Sequence, residues 1–135
     1  MQVADVAKKL AVTPETVRYY TREGLLKPAT DKTNGYRHYS NTDSDRLRFI
    51  VNARQLGFSV ADIKAILAKA DSGETPCPKV RELIEQRLQE TEARFREIKA
   101  LRGRMKKAIA QWDRQPDSLP CGHSICGLIE SLEEA

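Results

Sequence analysis

Residues 78–112 read PKVRELIEQRLQETEARFREIKALRGRMKKAIAQW, and this stretch decides the organisation of the chain. Pro78 suits the first turn of a helix, and the next proline is Pro116. Positions separated by alternating steps of four and three residues form one largely apolar stripe, as in the seam of a coiled coil. The stripe comprises Ile84, Leu88, Thr91, Phe95, Ile98, Arg102, Met105, Ile109 and Trp112. At Arg102 the neighbouring Leu101 can fill the seam, so the pattern predicts one long helix.

The residues between the seam positions are mostly charged, so this helix would present a single narrow apolar stripe to water. Such a stripe needs a partner, and we predict a second copy of the chain, which makes the protein a homodimer. The alternative is that the stripe packs on the core of its own domain. At about 1.5 Å per residue, the helix would be about 50 Å long.

The composition limits the class of protein. A chain of 135 residues fits one small globular unit plus an extended element. No stretch resembles a signal peptide or a membrane span, so we expect a cytoplasmic protein without a membrane partner. In that reducing compartment, three cysteines indicate metal ligation or thiol chemistry rather than disulfides. Residues 1–70 hold 12 Lys and Arg against 7 Asp and Glu, which favours a polyanionic partner for this part of the chain.

The thiols also raise the alternative that the protein is an enzyme with a cysteine nucleophile. Cys121 and His123 could act as nucleophile and base. They are two residues apart on a short loop, without an orienting third group or a set of oxyanion donors. We therefore predict that the protein is not an enzyme.

The beginning of the chain predicts two short helices with a tight junction. Residues 3–10 have helical periodicity, Thr13 suits an N-cap, and Pro14 fits the first position of a second helix that ends at Gly24. This is the arrangement of a helix-turn-helix, whose second helix enters the major groove of DNA. Helical hairpins also occur in bundles that bind no nucleic acid, so the pattern alone leaves both interpretations open.

A short hairpin is predicted to follow. Asn34-Gly35 is typical of a hairpin turn, and residues 36–39 form an aromatic and basic strand. Such a wing can lie on phosphates, with charge from Lys32 and Arg37 and a hydroxyl group from Tyr36. The alternative is a solvated hairpin with Tyr36 or Tyr39 packed on the core, and for Tyr39 we expect this packing rather than contact with a partner.

Two further helices would complete this domain. Asn41 or Thr42 would cap a helix over residues 43–56, and Ser59 would cap the next one. A polar hinge over residues 71–77 then leads to the long helix. The side chains expected to face the core are Tyr39, Leu47, Phe49, Ile50, Ala53, Val60, Ile63, Ile66 and Leu67.

Taken together, these residues resemble the MerR family of bacterial transcription regulators. The resemblance spans essentially the whole chain, because the matching blocks arrive in the family order with the family spacing. The blocks are residues 12–20 (VTPETVRYY), 24–28 (GLLKP), 34–39 (NGYRHY) and 53–59 (ARQLGFS), followed by the long helix.

The resemblance implies a mainly α protein with four parts. These are a winged helix-turn-helix DNA-binding domain over residues 1–70, a hinge over 71–77, an antiparallel coiled-coil dimerisation helix over 78–112, and a metal-binding loop with a short C-terminal helix over 113–135. It also implies a homodimer on double-stranded promoter DNA. An effector would make the protein distort that DNA so that RNA polymerase can engage.

Some DNA-binding residues follow from the family motif. Arg18, Tyr20, Tyr36 and Arg37 occupy its DNA-contacting positions, and Tyr19 is expected in the core instead. The predicted DNA-binding residues are Thr13, Arg18, Tyr20, Lys32, Tyr36 and Arg37.

The C-terminal segment resembles the metal-sensing branch of the family, in which a loop with Cys121, His123 and Cys126 precedes a short apolar helix. The chain is too short for a drug-sensing domain and lacks the four closely spaced cysteines of the iron–sulfur members. If the long helix is continuous, Cys77 lies too far from the loop of its own chain to share a metal ion. In an antiparallel dimer, Cys77 of one subunit would lie beside the loop of the other. The predicted metal ligands are Cys77, Cys121, Cys126 and His123.

The nature of the metal ion follows from the same residues. Three thiolates suit a soft or borderline divalent ion, and a neutral His123 could complete a tetrahedron. Family sensors of monovalent copper, silver or gold resemble this loop but carry Ser at the position of Cys77, which favours a divalent ion here. Zinc or cadmium suits three sulfurs and a nitrogen, whereas lead or mercury suits three sulfurs alone.

One feature of the loop departs from the family pattern. Cys121 and Cys126 are closer together than in the well-known branches, which leaves the metal ion and the role of His123 open. The alternative function for the same fold is a regulator whose thiols sense oxidants or electrophiles.

Overall fold

The computed structural model describes residues 1–132 and confirms a mainly α protein. Residues 133–135, the end of the predicted C-terminal segment, lie outside this range. The chain forms two compact units, residues 1–87 and the residues from 88 onward. Within residues 1–132, no helix is long and apolar enough to cross a lipid bilayer. The elements are α1 (Val3–Lys9), α2 (Pro14–Arg22), β1 (Ala29–Thr30), β2 (Arg37–His38), α3 (Asn41–Gln55), α4 (Val60–Asp71), α5 (Cys77–Trp112) and α6 (Gly127–Glu130).

The junction between α1 and α2 is tight, as the helix-turn-helix prediction requires. Ala11 has a φ of 55°, in the left-handed region that few residues other than glycine adopt. Thr13 caps α2 as predicted, because its Oγ1 accepts a hydrogen bond from the Thr16 N–H at 3.1 Å. Pro14 occupies the first helical position.

The core of the first unit gathers apolar side chains from α1 to α4 and from the beginning of α5. Tyr39 is buried as predicted, and its hydroxyl group lies 2.8 Å from Thr21 Oγ1, so its polar end has a partner. Leu83 of α5 also belongs to this core. The largest fully buried side chains are Tyr39, Leu26, Leu47, Ile50, Ile63, Ile66, Val6 and Val17.

The start of α3 corrects one expectation. Its N-cap is Ser40 and not Asn41 or Thr42. Ser40 Oγ accepts a hydrogen bond from the Asp43 N–H at 3.1 Å, and Asp43 Oδ2 accepts one from the Ser40 N–H at 2.9 Å. This reciprocal pair satisfies two backbone donors at the helix start, which explains why Ser40 takes the position.

The buried face of α3 corrects a second expectation. Phe49 was predicted to face inward but is 39% exposed. Leu47, Ile50 and Ala53 are buried and recur every three residues, so they define the helix face that packs in the core. Phe49 lies at the edge of this face, next to Ala53, and is only partly covered there.

The wing is a two-stranded antiparallel sheet in which Thr30 lies opposite Arg37. Its connection covers residues 31–36, which is longer than a two-residue turn at Asn34-Gly35. Gly35 has a φ of 73°, a conformation that glycine adopts without steric cost. The glycine of the turn signal therefore has its expected conformation within a longer loop.

Arg46 of α3 connects three parts of the first unit. Its Nε donates a hydrogen bond to the Leu25 carbonyl at 3.0 Å, and its Nη1 and Nη2 donate to the Asp71 carboxylate at 3.0 and 2.9 Å. The forked hydrogen bond from Arg46 holds the pKa of Asp71 below its ordinary value of 3.8. The end of α4 is thereby attached to α3 and to the segment after α2.

Asp71→Asn is expected to lower the stability of the full-length protein at neutral pH, because Arg46 loses its charged partner. A carboxyl group with a lowered folded-state pKa stabilises the fold above its unfolded pKa, and the contribution is lost as the pH falls through the lowered value. The difference in urea midpoint between wild type and variant should therefore vanish as the pH falls well below 3.8.

The matched control is Asp45→Asn in α3, the helix that carries Arg46; the Asp45 carboxylate lies 3.6 Å from Arg48 in an exposed pair. This change should have little effect at any pH, because exposed pairs contribute little. A destabilisation by Asp71→Asn that is the same in acid and at neutral pH would contradict the role of the Arg46 pair.

Candidate nucleic-acid interface and cysteine loop

One shallow depression on the first unit brings together three of the predicted DNA-binding residues. Arg18 of α2 and Tyr36 and Arg37 of the wing are all exposed there. Two guanidinium groups and a phenol hydroxyl group on one surface can donate hydrogen bonds to phosphate oxygens. The depression is lined by Gln2, Val3, Ala4, Arg18, Tyr36 and Arg37.

The other three predicted residues have different surroundings. Thr13 and Lys32 are exposed, but the Thr13 hydroxyl group is engaged as the cap of α2. Tyr20 is 7% exposed and belongs to the core, whereas Tyr19 is 38% exposed. The burial of the two tyrosines is the reverse of our expectation, because Tyr20 shares a helix face with the buried Val17.

Glu15 places a negative charge within the basic surface of α2. Its carboxylate lies 3.0 Å from Arg22 Nη2 and 3.7 Å from Arg18 Nη1. These groups are exposed, so the pairs add little stability, but they restrict the directions of two arginine side chains. We did not predict this role for Glu15, although its spacing from the two arginines puts all three on one helix face.

Asp31 organises the loop of the wing. Its Oδ1 accepts a hydrogen bond from the Thr33 N–H at 2.7 Å, and its carbonyl accepts one from the Gly35 N–H at 2.8 Å. Its own N–H donates to the Tyr36 carbonyl at 2.8 Å. The hydrogen bond from Thr33 lowers the pKa of Asp31 below its ordinary value of 3.8. We did not predict this role, although an aspartate two residues before a turn donor is a known turn signal.

In the second unit, residues 121–126 form the cysteine loop. The Cys121 N–H donates to the Ser124 carbonyl at 2.8 Å, and the Ser124 N–H donates to the Cys121 carbonyl at 3.3 Å. This pair of bonds closes a tight turn with Gly122 and His123 at its tip. The loop is therefore an ordered turn with His123 exposed at its end.

The cysteine loop is also tied to α6. The Glu130 carboxylate accepts hydrogen bonds from Ser124 Oγ at 2.6 Å, the Cys126 N–H at 3.1 Å and the Ile125 N–H at 3.2 Å. The hydrogen bond from Ser124, with those from the two backbone groups, lowers the pKa of Glu130 below its ordinary value of 4.5. We did not predict this role, because the sequence gives no spacing signal for it.

Side chains at and after the end of α5 hold α6 in place. Trp112 Nε1 donates a hydrogen bond to the Leu128 carbonyl at 2.9 Å. Gln115 Nε2 donates to the Gly127 carbonyl at 3.2 Å and lies 2.8 Å from Ser131 Oγ. These bonds attach α6 to the residues at and after the end of α5 and add to the backbone bond from Ser131 to Gly127 within the turn. Trp112 is the single tryptophan of the sequence, so its fluorescence reports on this contact.

The donor atoms of the cysteine loop suit a metal ion. Cys121 and His123 are exposed and Cys126 is half-buried, and thiolates with a neutral imidazole bind soft and borderline ions. Cys77, the first residue of α5, is also an exposed free thiol. Within residues 1–132 of one chain, no three His, Cys, Asp or Glu residues are grouped to hold a metal ion. The loop thus presents suitable donors without completing a site by itself.

Comparison with known proteins gives two family matches. Residues 1–70 match the family described as "MerR HTH family regulatory protein", and residues 44–108 match the one described as "MerR, DNA binding". The chain is also similar to the "HTH-type transcriptional regulator ZntR" of Escherichia coli K12. The two are 32% identical over 98% of this chain and 92% of the relative.

Solved structures show the same similarity. The transcription regulator PbrR691 from Ralstonia metallidurans CH34, in complex with lead(II), has a TM-score of 0.71 and 26% identity, and the match covers 98% of this chain and 99% of that one. The dual function transcriptional regulator MerR of Bacillus megaterium MB1, in complex with mercury(II), has a TM-score of 0.57 and 26% identity. That match covers 92% of each chain.

Trp112→Phe keeps an aromatic ring but removes the donor to the Leu128 carbonyl. The Ser131 amide, which donates to the Gly127 carbonyl at 3.1 Å, should then exchange with solvent about fivefold faster, because a hydrogen bond contributes about 1 kcal/mol. Hydrogen exchange measured by NMR tests this. The control Gln89→Ala, at an exposed position of α5, should leave the rate unchanged. Equal rates in wild type and Trp112→Phe would show that the indole does not hold α6.

Proposed function

Because this chain belongs to the MerR family of helix-turn-helix transcriptional regulators, we propose that it regulates transcription in response to a soft or borderline divalent metal ion. The protein is a DNA-binding regulator and not an enzyme. The observation that carries the metal proposal is the cysteine loop, an ordered turn that presents two thiols and an imidazole close behind α5. Its action on promoter DNA would place it in the cytoplasm.

The proposed DNA interface is formed by α2 and the wing. In this proposal α2 enters the major groove of double-stranded promoter DNA, and the wing lies along the neighbouring phosphates. Thr13 would act by fixing the start of α2, and Tyr20 by supporting the helix from the core. Direct contacts are proposed for Arg18, Lys32, Tyr36 and Arg37.

The exposed stripe of α5 supports a homodimer. Phe95, Ile98 and Ile109 are 66%, 64% and 58% exposed in the single chain. A row of large apolar side chains on a charged helix indicates a protein interface, because water is a poor environment for it. A second copy of α5 would cover the row, as in a coiled coil.

The spacing of the stripe supports an antiparallel pairing centred on Ile98. Ile98 is the middle one of the nine seam positions, so the seam extends equally far on both sides. Along the sequence, Cys77 lies three heptads before Ile98, and the cysteine loop begins a similar number of residues after Ile98. In this pairing Cys77 would lie near the cysteine loop of the partner subunit. Thr91 and Met105 lie one heptad before and after Ile98, so they would face each other across the pair. Ile84 and Trp112 lie two heptads away and would do the same.

The proposed metal ligands come from both subunits. They are Cys77 of one chain and Cys121 and Cys126 of the other, with His123 as the fourth donor. Zinc or cadmium suits this set, and lead or mercury suits the three sulfurs alone. Similarity to structures that hold lead(II) and mercury(II) keeps both ions among the candidates.

Such a site would couple the effector to the promoter. A bound ion would neutralise the thiolates and join the two subunits at each end of the paired helices. Leu83 packs in the core of the first unit, so a change in the pairing of α5 would reach the DNA-binding surface. We propose that the homodimer then distorts the promoter so that RNA polymerase engages it, with sequence-dependent DNA deformability contributing to specificity.

Competitive titration of the reduced, metal-free protein with zinc, cadmium, lead, mercury and copper(I) tests the metal proposal. Thiolate charge-transfer absorbance and Trp112 fluorescence are the readouts. A divalent ion should bind tightly, and binding should be lost in Cys77→Ser and in Cys126→Ser. The control Thr75→Ser, beside Cys77, should bind as wild type. If none of the ions binds, the protein is not a metal sensor.

Arg37→Ala tests the proposed DNA interface. Each subunit of the dimer would lose one phosphate contact, so the slope of log affinity against log salt should decrease by about 2. Gel shift with a promoter fragment over a range of salt concentrations measures it. The control Lys64→Ala removes an equal charge from α4, where the side chain is paired with Glu23 at 3.5 Å, and should leave the slope unchanged. Equal effects of both substitutions would contradict the assignment of the wing.

A thiol sensor of oxidants or electrophiles is the second candidate. It is favoured by the three free thiols, of which Cys77 and Cys121 are exposed. This function predicts that a mild oxidant changes promoter binding while no ion binds. Tight metal binding that depends on Cys77 would exclude it as the main function.

A further inference from the structure

Glu130 makes an unusual set of contacts for an exposed side chain at the end of a short helix. Its carboxylate reaches back from α6 and accepts hydrogen bonds from three consecutive residues of the cysteine loop: Ser124, Ile125 and Cys126. The bond to Ser124 Oγ is 2.6 Å long, which is typical of a hydroxyl group donating to a charged carboxylate.

Through these bonds Glu130 fixes the backbone at both cysteines. It holds Cys126 directly, through the backbone N–H at 3.1 Å. It holds Cys121 through Ser124, which exchanges two backbone hydrogen bonds with Cys121. The carboxylate is thereby connected to the backbone at Cys121 through one intermediate residue, Ser124.

Capping of α6 does not account for all of these bonds. Cys126 is the N-cap of α6, so its bond to Glu130 does satisfy a free donor at the helix start. The bonds from Ser124 and Ile125 lie outside the helix and hold the loop instead. A second anchor, the Gly127 N–H donating to Ser118 Oγ at 3.1 Å, fixes the point where the loop ends.

We propose that Glu130 is the positioning residue of the metal site, and that it sets the separation of the Cys121 and Cys126 thiols before the ion arrives. This inference rests on the proposed metal-sensing function. A loop that is already ordered loses less conformational entropy when it binds, so the affinity for the ion is higher. Glu130 acts through the backbone and through Ser124, and it is not itself a ligand.

The first test uses the metal-free full-length protein. Glu130→Gln removes the charge and directs an amide group towards the loop donors. The amides of Ile125 and Cys126 should exchange with solvent at least about tenfold faster in this variant, since hydrogen bonds to charged groups are among the stronger ones. The control Asp113→Asn removes an equal charge from an exposed position after α5 and should leave both rates unchanged. Unchanged rates in Glu130→Gln would overturn the proposal.

The second test is a competitive titration with cadmium. Glu130→Gln should bind the ion about 10- to 100-fold more weakly than wild type, as is typical when a group that orients a ligand is removed. Ser124→Ala, which loses one of the three bonds, should show a smaller loss and serves as the milder variant. The charge-transfer band at saturation should be the same in all three proteins because the ligands are the same. The melting temperature of the metal-free protein should also be unchanged.

The possible outcomes separate this inference from the function on which it rests. Wild type that binds no cadmium or any other ion contradicts the metal-sensing function, and the exchange experiment then decides the role of Glu130 alone. Wild type that binds while both variants bind equally well contradicts the positioning role. A changed charge-transfer band in Glu130→Gln at saturation also contradicts it, because Glu130 would then be a ligand.

Discussion

The apolar stripe of α5 is the constraint on which the rest of the structure depends. Large side chains such as Phe95 and Ile98 are exposed along a helix of 36 residues whose other faces are charged. Leaving this row in water costs free energy, and a second α5 can cover it while most of the charged residues stay on the outer faces. In a two-fold pairing of this kind, Cys77 of one chain and the cysteine loop of the other would belong to one site.

The structure supports both ends of α5 through specific contacts. At its beginning, Leu83 packs in the core of the first unit, and Arg87 Nε lies 3.3 Å from the Asp62 carboxylate of α4. At its end, the Trp112 indole donates to the Leu128 carbonyl of α6. The thiols themselves remain exposed or half-buried. The residues around both ends of α5 are thus held by specific contacts while the donor atoms stay accessible. This combination suits a site that must bind and release an effector.

Much of the fold could be predicted because it follows from periodicity and helix caps. The long helix, the caps Thr13 and Ser59 and the burial of Tyr39 are all confirmed. The errors at Phe49 and Tyr20 concern which of two adjacent large apolar residues faces the core: Phe49 is followed by Ile50, and Tyr20 is preceded by Tyr19. Periodicity does not decide between two such neighbours when both could belong to the apolar face. For the candidate metal site, the sequence suggested the donor side chains, the three cysteines and His123, but none of the contacts that hold the cysteine loop. Hydrogen bonds such as those of Glu130 depend on the local path of the backbone, for which no sequence spacing exists.

The central claim is that each metal site is shared between two subunits, and a mixed dimer tests it most directly. One chain carries Cys77→Ser and the other Cys121→Ser with Cys126→Ser, and the dimer is purified through two different affinity tags. Neither chain alone has a complete set of ligands, but the mixed dimer would keep one intact site. We expect about one tightly bound divalent ion per mixed dimer, against about two for wild type and none for either parent homodimer. A mixed dimer that binds no ion would contradict the shared site.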